Sequence, residues 1–356
     1  MNLRTECLEI TSELPADFRG SGSIILWKMQ GADHSYAVNM ETGVRSILPD
    51  DWNWWEWAIS PDEHWLTLQK DEDESTIQVL DPKGEVQATV HLEEDWGYSG
   101  WWDNERFEIY KLIDRDNKIY SLITLNPFTG NRQDFPAEYP DIYTLGAYFF
   151  PLAYDPALTR LIYPYHTKGE MGFRLRDVDG GQTLAVVPSI ISLSSGPRWS
   201  PDGQQALVIG LPDFPNFGYF EFYTISRSGE VARLTDLGAY KAKISINRFS
   251  SYSWSPDGRY IAFWITIDED PVERLAVLDV STHSVVNYCV PGLKPLGAYP
   301  PIWSSDSQQM VVYDPSLEGP VVVVDIKQKR AAAIGMYLEP EFWLRTVPDI
   351  WVKKNP

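Results

Sequence analysis

Basic residues are scarce in this chain. Its 356 residues include 30 Lys and Arg against 50 Asp and Glu, which gives a formal net charge of −20. Nucleic acids and anionic membrane surfaces attract proteins through clusters of cationic side chains, so this balance argues against both kinds of partner. The simplest interpretation of the acidity is that it keeps the protein in solution.

Cysteine and histidine are scarce as well. Cys7 and Cys289 fall in the first and sixth of the repeat units described below, which are not neighbours in the expected architecture. We therefore expect two buried free thiols and no disulfide. The histidines never fall at metal-ligand spacing, so we predict structural or surface roles for them, no metal site and no cofactor. They are His34, His64, His91, His166 and His283.

Long apolar runs and familiar catalytic motifs are missing. Residues 1–6 have no apolar core of signal-peptide length and no run approaches a membrane span, which predicts a cytoplasmic protein. The alternative is an exported protein whose sequence here is a mature segment with an added Met. No Gly-x-Ser-x-Gly elbow, phosphate-binding loop, Cys-x-x-Cys pair or His-Glu-x-x-His motif occurs. We therefore predict no catalytic residues.

What the chain does contain is a repeated turn. Residues 199–203 and 254–258 both read Trp-Ser-Pro-Asp-Gly and lead into short apolar runs. Pro presets φ for the first central turn position, Asp bonds the following backbone and Gly accepts a positive φ, so the unit is strand, turn, strand. Counting weaker copies, the markers are Asp17, Ser60, Asp103, Asp155, Ser200, Ser255 and Ser304, which lie 43 to 55 residues apart.

A second turn alternates with the first. Its copies begin at Asn39, Asp81, Asn126, Asp177, Ser226, Asp279 and Asp325, and each separates two β-rich runs, as in a hairpin. Repeats of this length built from short strands are typical of a β-propeller. Because seven turns of one kind interleave with seven of the other, we predict an all-β, seven-bladed β-propeller of four-stranded antiparallel blades. The first turn joins strands A and B, counted from the inside, and the second joins C and D.

The predicted architecture is a single domain over residues 1–356. The blades are expected at about 5–48, 53–91, 98–135, 145–187, 194–235, 248–289 and 296–334, followed by a tail at 335–356. Residues 347–349, Val-Pro-Asp, fall where the next marker is due. We expect the tail to supply a strand to the first blade, which would close the ring and remove a sheet edge. A partial eighth blade is the alternative.

The Trp-Ser-Pro-Asp-Gly turn before an aliphatic strand, followed by a turn such as residues 177–181, resembles the repeat of TolB-like propellers. It is also similar to the propeller domains of prolyl-oligopeptidase-type enzymes. The resemblance covers most of the chain and implies the fold. It implies function only weakly, because such propellers serve as scaffolds, binding modules and substrate gates. TolB-like proteins are commonly exported, which supports the alternative location.

Aromatic and acidic residues coincide in loops that we assign to one face. In a propeller the D–A and B–C loops emerge together, on the usual binding face. Tyr and Trp dominate interface hot spots, and adjacent carboxylates would select a cationic or hydroxyl-rich partner. The candidate binding residues are Asp50, Asp51, Trp52, Glu93, Glu94, Asp95, Trp96, Tyr139, Asp141, Asp213 and Phe214. For the aromatic members of this set, packing between blades is the alternative.

Two acidic runs, residues 71–74 and 268–270, fall in predicted B–C loops and lack calcium-loop spacing. We interpret them as solvated loop tips, with adventitious divalent binding as the alternative. Taken together, the sequence predicts a monomeric, non-enzymatic binding or scaffold protein that presents the acidic, aromatic face to a protein or peptide. The alternative is a carbohydrate-binding protein or a propeller enzyme with a site at the central axis on that face.

Overall fold

The computed structural model describes residues 1–18, 20–49, 57–69, 75–114, 119–135, 153–167, 170–179, 181–188, 196–212, 218–245, 252–290, 299–313 and 319–352. Within these ranges the chain forms seven small, mainly antiparallel sheets in a ring, which confirms the predicted seven-bladed β-propeller. Packing groups the chain into two compact units, residues 1–45 with 149–343 and residues 46–148 with 344–356.

The elements of the described residues are nearly all strands. In chain order they begin with β1 (Asn2–Cys7), β2 (Glu9–Thr11), β3 (Ser23–Lys28), β4 (Tyr36–Asn39), β5 (Arg45–Ile47), β6 (Trp57–Ile59), β7 (Leu66–Gln69), β8 (Thr76–Leu80), β9 (Val86–His91), β10 (Trp96–Trp101), β11 (Phe107–Asp114), β12 (Ile119–Leu125), β13 (Arg132–Asp134), β14 (Ala153–Tyr154), β15 (Arg160–Thr167) and β16 (Glu170–Asp177). They continue with β17 (Thr183–Pro188), β18 (Arg198–Trp199), β19 (Gln205–Gly210), β20 (Glu221–Ser226), β21 (Val231–Arg233), β22 (Ala242–Ile244), β23 (Tyr252–Trp254), β24 (Tyr260–Ile267), β25 (Asp270–Asp279), β26 (Ser284–Cys289), β27 (Ile302–Trp303), β28 (Gln309–Tyr313), β29 (Pro320–Asp325), β30 (Arg330–Met336) and β31 (Leu338–Leu344). A 3₁₀ turn spans Leu237–Tyr240, and a short helix, α1, spans Asp349–Val352.

Each blade contains consecutive strands, apart from additions by the two chain ends. The first sheet has the order β31-β3-β4-β5, and the next four are β6 to β9, β10 to β13, β14 to β17 and β18 to β21. In the sixth sheet β22 and β23 both pair with the inner side of β24, followed by β25, β26 and β1. The seventh runs from β27 to β30 and then β2.

The Ser-Pro-Asp-Gly turns lie between strands A and B, as predicted. Ser200 Oγ donates to Asp202 Oδ1 at 2.6 Å, and the same carboxylate oxygen accepts the N–H of Gln204. Gly203 has a φ of 66°, and a Cβ built there would lie 2.9 Å from Pro156 Cδ in the neighbouring blade's turn. The copy at Ser255–Gly258 repeats the Ser-to-Asp bond at 2.6 Å. These aspartates therefore form turns, as the sequence indicated.

The core lies between successive blades, whose sheets pack face to face. One such cluster in the larger unit joins the sixth and seventh blades and includes Trp264, Met310 and Val324. In the smaller unit, Ile77 and Phe107 belong to the cluster between the second and third blades. Sheets covered on both faces explain the continuous apolar strands, and burying one such aliphatic side chain stabilises the fold by about 1.5–3 kcal/mol.

The C-terminal tail closes the first blade, which confirms that prediction. Strand β31 is its innermost strand, and Trp343 Nε1 donates to the Ser21 carbonyl at 2.8 Å. The chain then reaches the second blade within the smaller unit, where the N–H of Arg345 donates to Glu63 Oε2 at 2.7 Å. There the Trp351 side chain is 1% exposed, and its ring meets Trp57 edge-on at 5.9 Å.

The N-terminus corrects the expected bounds of the first blade. Residues 5–11 do not belong to it, because β1 pairs in parallel with β26 and β2 pairs in parallel with β30. The physical reason is that β31 takes the innermost place in the first blade, which leaves the N-terminal strands to cover two outer edges. We call residues 1–11 the N-terminal belt.

The expectation of two free thiols is also wrong. Cys7 lies opposite Cys289 in the pairing of β1 with β26, and the two residues form a disulfide with a Cα–Cα distance of 4.5 Å. The error came from placing Cys7 in the first blade, whereas the belt carries it to the sixth. Separately, no helix in the described part of the chain is long and apolar enough to cross a membrane.

Candidate functional site

Seven of the predicted binding residues lie outside the described residues, as does the acidic run 71–74. They are Asp50, Asp51, Trp52, Tyr139, Asp141, Asp213 and Phe214. The described part of the loop face consists of the other residues at the D–A and B–C ends of the strands.

The loop between β9 and β10 carries the described part of the predicted set. Glu93, Glu94 and Asp95 are exposed, and Arg132 pairs with Glu93 at 3.2 Å. Trp96 is half-buried, packs against the cluster between the second and third blades, and lies 5.3 Å below the Arg132 guanidinium. The structure thus places the three carboxylates at the surface and the indole largely in packing contacts.

A second group lies at the same ends of strands in the larger unit and includes two residues of β31, the innermost strand of the first blade. It consists of Tyr299, Tyr313, Glu339 and Glu341, which we call the Tyr–Glu cluster. Tyr313 Oη donates to Glu339 Oε1 at 2.7 Å, and the two tyrosine rings lie 5.2 Å apart. Glu339 and Glu341 are two positions apart in β31, so their side chains share one face. Tyr299 is 42% exposed and marks the open side of the cluster.

Electrostatics set Glu341 apart. Burial, and then the neighbouring charge of Glu339, raise the pKa of Glu341 to about 9, so this carboxyl holds its proton at neutral pH. Burial, and then the hydrogen bond to Glu339, raise the pKa of Tyr313 far above its usual range. Glu341 has no hydrogen-bond partner among the described residues. Carboxyl groups perturbed in this way concentrate at functional sites.

Sequence reasoning missed Glu339 and Glu341 because it assigned the tail to ring closure alone. The available signal was the alternation Leu338-Glu339-Pro340-Glu341-Phe342, with carboxyls at every second position of an otherwise apolar strand. In an innermost strand, such alternation places acidic groups on one face of the sheet.

Each carboxylate of the acidic run 268–270 forms an ion pair with a lysine or an arginine. Tyr219 Oη donates to Asp268, whose other carboxylate oxygen lies 2.6 Å from Lys243 Nζ. The hydrogen bond from Lys243 holds the pKa of Asp268 below its usual range. Lys241 and Arg274 pair with Glu269 and Asp270. In the described ranges no group of three or more His, Cys, Asp or Glu side chains could hold a metal ion.

One buried carboxylate supports the loop face. Glu221 is fully buried and accepts hydrogen bonds from Thr235 Oγ1 at 2.6 Å and from the N–H groups of Leu237 and Gly238 at 2.8 and 2.9 Å. Arg233 Nη2 also forms an ion pair with Glu221 Oε1, at 3.1 Å. Because every donor comes from one segment, Glu221 fixes the 3₁₀ turn on this face.

These features define the class of the protein: a seven-bladed β-propeller with antiparallel blades whose ring is closed by its C-terminal tail. No protein-family model matches the sequence, and no curated protein matches it.

Solved structures do resemble the chain. A puromycin hydrolase matches with a TM-score of 0.55 and 13% identity, over 93% of this chain and 57% of the hydrolase. An oligogalacturonate lyase from Vibrio parahaemolyticus matches with a TM-score of 0.54 and 11% identity, over 89% and 87%. TolB from Acinetobacter baumannii matches with a TM-score of 0.42 and 14% identity, over 93% and 66%. The chain therefore spans less than two thirds of the hydrolase and of TolB. At these identities the likeness to the hydrolase and the lyase shows the propeller fold alone.

Proposed function

We propose that this chain is a non-enzymatic binding protein whose loop face takes a basic segment of a protein or peptide. The observation that carries the proposal is the Tyr–Glu cluster, where Glu339 and Glu341 lie together beside the exposed ring of Tyr299. An arriving lysine or arginine would meet one carboxylate already oriented by Tyr313. The ring of Tyr299 would add contact area at low entropic cost.

The raised pKa of Glu341 couples the binding of a cation to the release of a proton. A positive charge stabilises the ionised form of this half-buried carboxyl, so a bound cation lowers its pKa and the proton leaves, which at neutral pH offsets part of the binding free energy. The net charge of −20 would also attract basic segments over longer distances. Glu93, Glu94 and Asp95 are exposed in the other unit, and their share in binding is still a prediction.

The experiment compares three sets of ten-residue peptides, basic, neutral and acidic, displayed on an array and probed with labelled full-length protein. We expect retention on basic peptides, and a loss of about tenfold or more in affinity for the double variant Glu339→Gln/Glu341→Gln. The matched control is Glu269→Gln, an exposed glutamate of the same unit paired only to Lys241. Equal affinities of the double variant and the wild type would exclude the cluster as the binding site.

A neutral oligosaccharide is the second candidate ligand. Glu341 with its proton is a donor and Glu339 an acceptor, so the pair could bond hydroxyl groups while Tyr299 offers a ring for stacking. Thermal-shift measurements with neutral oligosaccharides would test this. A saturable shift that Glu341→Gln abolishes, together with no retention on basic peptides, would favour the sugar.

A further inference from the structure

The outer edges of the blades fall into two groups. Three outermost strands, β5, β13 and β21, have only three residues and each includes an arginine. Short and charged strands are a common protection of sheet edges. Strands β26 and β30 are longer, and the N-terminal belt covers both of them.

Two outermost strands have neither protection. β9, Val-Gln-Ala-Thr-Val-His, and β17, Thr-Leu-Ala-Val-Val-Pro, each have six residues and no Asp, Glu, Lys or Arg. No strand of the described residues pairs with their outer sides. The turn of the next blade lies against β17, since a Cβ on Gly229 would fall 2.6 Å from the Leu184 carbonyl oxygen. Strand β9 is therefore the more open edge.

Some backbone N–H groups of β9 point away from β8, where no strand of the described residues pairs with them. Leu92 N–H donates to the Ser75 carbonyl of the segment preceding β8. Because successive N–H groups along a strand alternate in direction, the N–H of Val90 also faces β8, whereas those of Thr89 and His91 face outward. Val86, at the start of the strand, is 52% exposed. The outer side of β9 can thus accept a further strand.

A groove of about 490 Å³ adjoins the start of β9. Gln87 of the strand lines it, together with Trp65, Lys83 and the tail residues Val347 and Pro348. All of these belong to the smaller unit. A strand lying parallel to β9 would enter from this groove, where Trp65 and Pro348 offer surface to an apolar side chain beside the carboxyl groups of Glu63, Asp81 and Asp349.

We propose that the outer edge of β9, with this groove, binds an extended segment of a partner protein as a fifth, parallel strand. The chain itself shows the geometry, because both of its own added strands lie parallel to the outermost strand that they cover. Leu3 of β1 and Ile10 of β2 pack against inter-blade clusters. The occupant is accordingly a segment of about six residues with apolar side chains at alternate positions. This surface is distinct from the Tyr–Glu cluster.

The test uses full-length protein and a displayed library of twelve-residue peptides with apolar residues at alternate positions. Selected peptides should slow amide hydrogen exchange at Thr89 and His91. They should bind at least about tenfold more weakly to Thr89→Pro, which removes one outward N–H. Thr89→Lys is the second blocking variant in case the proline variant does not fold, and Gln133→Lys on the charged strand β13 is its matched control.

Four outcomes would overturn the proposal. One is failure to select any peptide, and a second is protection confined to other strands. The third is equal binding to the Thr89→Lys and Gln133→Lys variants. Protection of Thr89 and His91 by concentration-dependent self-association alone, without peptide binding, would assign the edge to a second copy of the chain and would also overturn it.

Discussion

The two ends of the chain take part in the propeller in opposite ways. The N-terminal belt adds two parallel strands to the outside of the sixth and seventh blades, where Glu6 pairs with Arg4 and Lys329. The C-terminal tail enters as the innermost strand of the first blade and carries Glu341, which has no hydrogen-bond partner among the described residues. The belt carries an ion-paired carboxylate, whereas the tail contributes two glutamates to the candidate site.

Deleting residues 339–356 should have the largest effect on the free energy of unfolding. It removes most of β31 and all of α1, and it exposes the core that packs against Trp343 and Trp351. We expect a loss of more than about 5 kcal/mol in the free energy of unfolding, beyond that of usual single substitutions. Thermal unfolding followed by circular dichroism measures it. An unchanged melting temperature would show that the tail does not close the ring.

Trp351→Ala probes the part of the tail that lies in the smaller unit. Because the indole is 1% exposed and touches Trp57, we expect the free energy of unfolding to fall by about 3–5 kcal/mol. Chemical denaturation gives the value, and Val352→Ala, at an exposed neighbouring position, is the control. Equal stabilities of the two variants would contradict the docking of α1.

The N-terminal belt is joined covalently to the sixth blade by the Cys7–Cys289 disulfide. Cys7→Ser should lower the free energy of unfolding by about 2–5 kcal/mol, since the crosslink spans 282 positions and restricts the unfolded chain. Cys289→Ser should have the same effect, and a reductant should destabilise the wild type but neither variant. A wild-type protein indifferent to reductant, with two titratable thiols, would show that the belt is held without the disulfide.

The fold was predictable from sequence because its turns are local. Ser200, Asp202 and Gly203 bond within a few residues, so their pattern reveals strand order without tertiary information. The pairing of Cys7 with Cys289 depends on which blade the N-terminus covers, and no turn residue marks that choice. The Tyr–Glu cluster likewise joins residues from β28 and β31, which come together only after the ring has closed. Long-range pairings of this kind leave little local signal.

Glu341→Gln is expected to leave stability unchanged at low pH and to stabilise the protein increasingly as the pH rises. Between the usual pKa of a glutamate and about 9, the folded protein holds a proton that the unfolded chain has released. Its contribution to stability is therefore full below the usual pKa and is lost as the pH rises toward 9, at up to about 1.4 kcal/mol per pH unit. The variant should equal the wild type near pH 4 and exceed it near pH 8. Parallel stability curves would contradict the raised pKa.

The most direct test of the Tyr–Glu cluster is proton release on binding a basic peptide. Calorimetric titration at pH 7.5, in two buffers of different ionisation enthalpy, counts the protons released. Since a cation beside Glu341 lowers the pKa of its carboxyl, we expect the wild type to release close to one proton and Glu341→Gln to release almost none. Binding without proton release by the wild type, or with equal release by the variant, would contradict the assignment of this cluster as the binding site.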